Sequence, residues 1–157
     1  MSFRLAAYGV CIRHRRVLLA RHVRADGVGT WTLPGGRVEH AEDPFHTVVR
    51  EFREETGHTA EVERLLGVDS RSIPAAQRAV PGGSEHQNVG IFYEVRLAGG
   101  QLRAEPNGET DEPTWTPLSE VANLRRSSLV DIGLALARTR PATGHIDPVP
   151  VGGLIQH

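Results

Sequence analysis

Lysine does not occur in this chain of 157 residues, and all 18 of its basic residues are arginine. That excludes a lysine-dependent phosphate loop, a Schiff-base lysine and a lysine general base. Cysteine occurs once, at Cys11, so an internal disulfide and a cysteine-built zinc cage are excluded too. The apolar, β-prone setting of Cys11 makes it core packing rather than a nucleophile. No apolar run approaches the roughly eighteen residues that a membrane helix requires, and no signal-peptide pattern opens the chain. The expected location is therefore the cytoplasm. The formal net charge is −1, which argues against a nucleic-acid polymer or a membrane surface held by bulk electrostatics. Histidines are scattered without H-x-H or H-E-x-x-H spacing, and G-x-S-x-G is missing, so neither a zinc site nor acyl-enzyme chemistry is supported. What remains for chemistry is carboxylates, histidines, arginines, hydroxyls, backbone and metal.

Apolar residues make up 39% and charged residues 24%, a globular composition sized for one domain. Phe3–Ile12 and Arg16–Arg21 read as strands joined by a basic hairpin turn, and "WTLPGG" as a strand ending in a Pro-Gly-Gly turn. The clearest helix covers 43–56. Asp43 suits its N-cap, Pro44 its first position and Gly57 its C′ position. Phe45, Val48, Val49 and Phe52 share one face, while Glu51, Glu54 and Glu55 neighbour one another on a different face. Glu61–Asp69 alternates weakly as a strand. A long loop over 72–86 is expected to leave Glu85 and His86 at a solvent-exposed end. "NVGIFYEVRL" is a strong strand, "TWTPL" a closing one, and a second helix is expected over 128–138. The whole reads as strands around one early helix with more helix at the end, an α/β/α or α+β layered domain over 1–140. Residues 141–157 lack periodicity and are expected to form a flexible tail.

Six carboxylates, Glu39, Glu42, Asp43, Glu51, Glu54 and Glu55, crowd between Gly35 and His58. A like-charge pair one turn apart costs only about 0.2–0.5 kcal/mol on a solvated helix, so the glutamates alone could simply coat a wet face. Their position after two glycines adds a reason to collect them. Glycine lets backbone approach closely, and hard divalent cations favour carboxylate and carbonyl oxygens alongside substrate phosphates.

The spacing Gly36, Glu42, then "REFREETGH" resembles the Nudix box, G-x5-E-x7-R-E-U-x-E-E-x-G-U, where U is a bulky aliphatic. Gly36, Glu42, Arg50, Glu51, Glu54, Glu55 and Gly57 all fall in register, Phe52 fills the first U, and His58 departs at the last. The resemblance implies an α/β fold, the Nudix α/β/α sandwich with a mixed central sheet. It implies Mg²⁺, with Mn²⁺ as a substitute, bound by Glu51, Glu54 and Glu55 with the Gly35 carbonyl as a further ligand. Arg50 and Glu42 would steady those carboxylates. The activity implied is hydrolysis of a diphosphate linkage in a nucleoside triphosphate or another nucleoside diphosphate linked to X. A metal-activated water would attack phosphorus, with Arg50, Glu51 and Glu54 catalytic and Glu51 the first choice of base. The alternative is a Nudix-like module that senses a nucleotide without cleaving it, although such modules commonly lose box glutamates and all are kept here.

Outside the box, Glu109 is a candidate further metal ligand or base, against an ordinary acidic turn. Glu112 carries the same two readings, with a substrate contact in view. Arg37 is a candidate phosphate contact. Trp31 could stack on a base or ribose, or could be a core aromatic before the "LPGG" stretch. The implied partner is a small nucleotide, and a homodimer is the assembly common in similar proteins. "WTLPGG" and the short chain incline towards a MutT-like triphosphate pyrophosphatase.

Overall fold

A computed structural model of the chain describes residues 1–78, 82–101 and 110–150, with residues 110–112 described as backbone alone. The strands are β1 (Ser2–Val10), β2 (Ile12–Arg13), β3 (Arg16–Val23), β4 (Gly29–Thr32), β5 (Gly35–Arg37), β6 (His58–Ile73), β7 (His86–Gly100) and β8 (Thr110–Pro117). Two α-helices accompany them, α1 (Pro44–Thr56) and α2 (Ser128–Thr139). One sheet has the order β5-β1-β7-β6, with β1 parallel to β7 and its other pairs antiparallel. The second runs β2-β3-β4, with β8 antiparallel to β3.

Alternation along β1 explains the layering. Ala6, Tyr8 and Val10 join a core with Phe92, Leu129, Val130, Ile132 and Leu136 on the α2 side. Ala7 and Cys11 join the opposite core with Val48 and Phe52 of α1. Successive residues of a strand point to opposite faces, so one buried strand serves both helices. The expected α/β/α sandwich with a mixed sheet is thus the fold. Phe52 is fully buried, which contributes about 1.5–3 kcal/mol. Cys11 is buried as well, and burial pushes its thiol up to about 11, in keeping with core packing.

α1 begins as the sequence predicts. Asp43 Oδ1 accepts from the Phe45 N–H at 2.8 Å, Pro44 follows, and Gly57 closes the helix in the left-handed region at φ 80°. Other boundaries differ. β6 covers His58–Ile73 rather than Glu61–Asp69, because pairing with β7 runs almost its whole length through three register shifts. The glycines of the expected Pro-Gly-Gly turn are a strand, β5, in register with Ala6–Tyr8 of β1. Of the segment expected to be a flexible tail, residues 141–150 run against the sheet. Val68 donates to the Gly144 carbonyl at 3.0 Å, and Ile146 and Val149 pack on the α2-side core. Among the described residues no helix is long and apolar enough to cross a membrane.

Candidate functional site

Arg50 organises the acidic end of the molecule. Its Nε and Nη2 grip the two oxygens of Glu42 at 2.8 and 3.0 Å. Nη1 reaches Glu51 Oε1 at 3.0 Å and Glu54 Oε2 at 3.3 Å, and Nη2 also donates to the Arg37 carbonyl at 3.2 Å. A planar fork of five donors can serve this many oxygens at once, which an ammonium cannot. Glu42 accepts two further bonds, from the Thr47 hydroxyl at 2.7 Å and the Glu39 N–H at 3.1 Å. The Arg50 hydrogen bond above all, with Thr47 and Glu39 adding to it, holds the Glu42 carboxyl down to about 2. In return Glu42 first, and then Glu51, push Arg50 above its ordinary value.

Glu55 takes a different route. It is buried, and its Oε2 accepts from the Gly35 N–H at 2.9 Å. Space requires glycine at Gly35, and at Gly36 a side chain would displace Glu51. Gly35 sits at φ 151°, and a Cβ there would collide with the Ala7 carbonyl oxygen. A Cβ at Gly36 would lie 2.5 Å from Glu51 Oε1. A positive φ and a close approach are what glycine supplies, so the "GG" of β5 is the cradle in which Glu51 and Glu55 rest. Gly36 pairs with Ala7 and so shares its α1-side face, whereas Gly35 and Arg37 pair with Tyr8 and Ala6 and share theirs.

The box residues expected to act together therefore do meet: Glu42, Arg50, Glu51 and Glu54 around one guanidinium, and Glu55 on Gly35. The Gly35 N–H also touches the site, through the Glu55 carboxylate. Among the described residues, no three carboxylate, imidazole or thiol side chains converge as they stand on one metal-sized point. Arg37 is exposed, beside the acidic cluster. Trp31 is half-buried against the α2-side core, with the Arg21 guanidinium 5.9 Å from its ring centroid. Glu109 lies outside the described residues, and Glu112 is placed in β8 as backbone alone.

His86 corrects an expectation. It opens β7 with only 5% of its surface exposed, because β7 starts two residues earlier than the apolar run suggests and pairs with both Ser2 and Ile73. Glu85 is exposed, as expected. His58, the box letter out of place, is accommodated by a bond an aliphatic residue could not make, its Nδ1 donating to the Gly99 carbonyl at 3.3 Å. Sequence reasoning missed Thr47, whose position one turn before Arg50 carries no motif. It also missed Tyr8, a buried residue whose hydroxyl is pushed above its ordinary value, first by burial and further by Glu55 and Glu51, with Arg4 acting the other way.

The family model described as NUDIX domain matches residues 3–132. A MutT-like protein of Streptomyces ambofaciens is 52% identical over 73% of this chain and 64% of its own length. A CMP-5'-(N-acetyl-N-hydroxy-3-aminopropyl)phosphonate hydrolase of Streptomyces rubellomurinus is 31% identical over 82% of this chain and 63% of its own. The chain spans less than two thirds of the length of these curated relatives. Among solved structures, a NUDIX hydrolase from Nitrosomonas europaea shares the fold with a TM-score of 0.72 at 16% identity, covering 86% of this chain and 88% of that one. A glutamate helix braced by Arg50, a glycine strand fitted beneath it and a family model spanning most of the sequence leave one assignment: this chain belongs to the NUDIX domain family.

Proposed function

We propose that the protein hydrolyses a phosphoanhydride bond in a nucleoside diphosphate derivative with the help of Mg²⁺ or Mn²⁺. The observation that carries this reading is the Arg50 fork, which holds Glu42, Glu51 and Glu54 in one array. The donor set fits a hard divalent cation by its chemistry, since every donor is a carboxylate or backbone oxygen. The space left by the missing Gly36 side chain, against Glu51, fits it too. Glu51, Glu54 and Glu55 are the residues to hold the ion, with the Gly35 carbonyl as a further donor. When bound, such an ion neutralises charge on the diphosphate and lowers the pKa of a coordinated water.

The protein's own residues do the rest. Arg50 positions the carboxylates, and Glu42, locked in its ionised form, positions Arg50. Gly35 fixes Glu55 through its N–H, which leaves that side chain little freedom. Glu51 accepts the proton of the attacking water. The new bond joins the water oxygen to phosphorus, and the bond broken joins that phosphorus to the bridging oxygen, which leaves on the second phosphate. Preorganised charge of this kind needs no rearrangement as the reaction proceeds. Among relatives, the name CMP-5'-(N-acetyl-N-hydroxy-3-aminopropyl)phosphonate hydrolase supports a nucleotide derivative as substrate.

Chromatography of the products from a panel of nucleoside triphosphates, nucleoside diphosphate sugars and dinucleoside polyphosphates, read as pyrophosphate or as two phosphorylated halves, tests the proposal. Turnover should require Mg²⁺ or Mn²⁺, and Glu54→Gln should lower kcat by about 10²–10⁴ with an unchanged melting curve. Full turnover by that variant, or in EDTA, would overturn the metal-site assignment. Tight binding of a panel member without cleavage would replace the hydrolase by a sensor.

A further inference from the structure

The α1-side face of the main sheet is only half covered. Helix α1 lies over the half that carries Ala7, Gly9, Cys11 and Val95, where a Cβ on Gly9 would collide with Phe52 and crowd Val48. The other half is open. Alternation and register place Phe3 and Leu5 of β1, Val89 and Ile91 of β7, and Leu65 and Val68 of β6 on it. Phe3 is 62% exposed, Leu65 59% and Val68 46%, and the other three are half-buried. A sheet face meant for water carries polar residues outward, and this one carries apolar residues outward. None of the residues that register places there is charged. Gln87 and Ser70, polar residues within it, satisfy each other, the Gln87 amide donating to Ser70 Oγ at 3.0 Å. Single exposed apolar residues are ordinary, but a contiguous patch of them marks an interaction surface.

The shape of this face selects its occupant. Beside the open floor, α1 stands as a step about 10 Å high, the diameter of a helix. Phe45, in the first turn of α1, is 44% exposed beside the floor. Its ring is edge-on to Tyr93 with centroids 6.2 Å apart, and Tyr93 lies opposite Leu65. Two sheets packed face to face are also separated by about 10 Å. A second copy turned over about a two-fold axis across the strands therefore fits. Its floor lies on this floor, and the start of its β1 abuts this α1. The reverse holds at the same time, because a two-fold contact uses the same surface on both partners. Phe3 of each copy then meets Phe45 of the other. A two-fold axis along the strands would instead set helix against helix and hold the floors apart. Being uncharged, the floor does not repel its own copy.

We propose that the protein pairs with a second copy of its own chain through this face, the two β1 strands running antiparallel across the contact and each α1 abutting the start of the other copy's β1. The pairing does not depend on the hydrolase reading. Glu51 and Glu55 lie against Gly36 and Gly35 of β5, on the flank of α1 away from Phe45 and Tyr93. Four strands about 4.8 Å apart, over four or five residues each, make a floor on the order of 300 Å². With the flanks of the step added, the pair comes close to the lower bound of about 1,000 Å² for a specific interface. The association is accordingly reversible and depends on protein concentration.

Sedimentation velocity of the full chain at rising concentration tests the pairing. The mass should climb from one chain to two between about 1 µM and 1 mM. Leu65→Arg and Val68→Arg, at exposed positions of β6, should each move the midpoint about ten-fold or more upward, with an unchanged melting curve at low concentration. The arrangement is read by cross-linking with a short bis-maleimide, to which the buried Cys11 is closed. A mixture of Phe3→Cys and Phe45→Cys chains should yield several-fold more linked pairs than either variant alone. The mass of one chain at every concentration would overturn the proposal, and so would pairing that both arginine variants leave intact. Pairing that appears only after residues 151–157 are removed would overturn it too, by showing that the chain's own end covers the face. Equal cross-linking of Phe3→Cys alone and of the mixture would overturn the antiparallel arrangement.

Discussion

The two polar regions of this molecule handle their buried groups in opposite ways. Around Arg50, each oxygen of Glu42 has a donor and the guanidinium serves four acceptor residues. Around His86, the buried atoms Arg4 Nε, His86 Nε2 and Asn88 Oδ1 have no hydrogen-bond partner among the described residues. A satisfied network is stiff and specifies one arrangement, whereas an unsatisfied one stores unfavourable free energy that a ligand can release. The contrast separates a network the protein completes for itself from polar atoms its own described residues leave open.

The sharpest way to break that comparison is to remove the hub of the satisfied region. Arg50→Met strands Glu42, Glu51 and Glu54 as neighbouring like charges and should cost about 3 kcal/mol, read from urea unfolding, with loss of most activity. A cost below about 1 kcal/mol would mean the network is ornament. Acid is the next probe. Glu42 falls from an ordinary value of 4.5 to about 2, so its contribution to stability is complete above pH 4.5 and is lost as pH drops towards 2. The melting temperature should decline across that window, and Glu42→Gln should flatten the decline there while starting from a lower value. An unchanged slope in the variant would rule out Glu42 as the group responsible. The smallest effect is expected in the other region. Arg4 has no hydrogen-bond or ion-pair partner among the described residues, and Arg4→Met should leave unfolding within about 1 kcal/mol of the parent or raise stability. A loss of several kcal/mol would show that Arg4 braces the fold and would erase the distinction.

Much of the acidic region is legible in the sequence because its information is local. Glu42, Arg50, Glu51, Glu54 and Glu55 come from one loop and one helix whose caps are written beside them, so spacing alone brings their side chains together. The partners that needed tertiary structure were less visible. Gly35 and Gly36 read as a turn, yet pairing with Ala6–Tyr8 makes them a strand, and only that pairing aims the Gly35 N–H at Glu55. His86 reads as a loop end because its neighbours are polar. Its burial comes from β1 on one side and β6 on the other, strands distant in sequence. The basic surroundings of His86 were illegible for the same reason. Arg4, Arg37, Arg78 and His86 lie on four separate segments, and no spacing rule links them.

Strand β1 carries a consequence for how sequences of this kind can change. Its Ala7 opposes Gly36, and its Ala6 opposes Arg37. Deleting one residue between Arg4 and Tyr8 would invert every side chain N-terminal to the cut, turning Arg4 towards the α1 layer and an apolar neighbour towards the α2 layer. Substitutions along β1 and β7 can change the chemistry of either face while the carboxylates keep their places, but insertions and deletions there cannot. Diversification by point change and intolerance to length change would then coexist in a single strand.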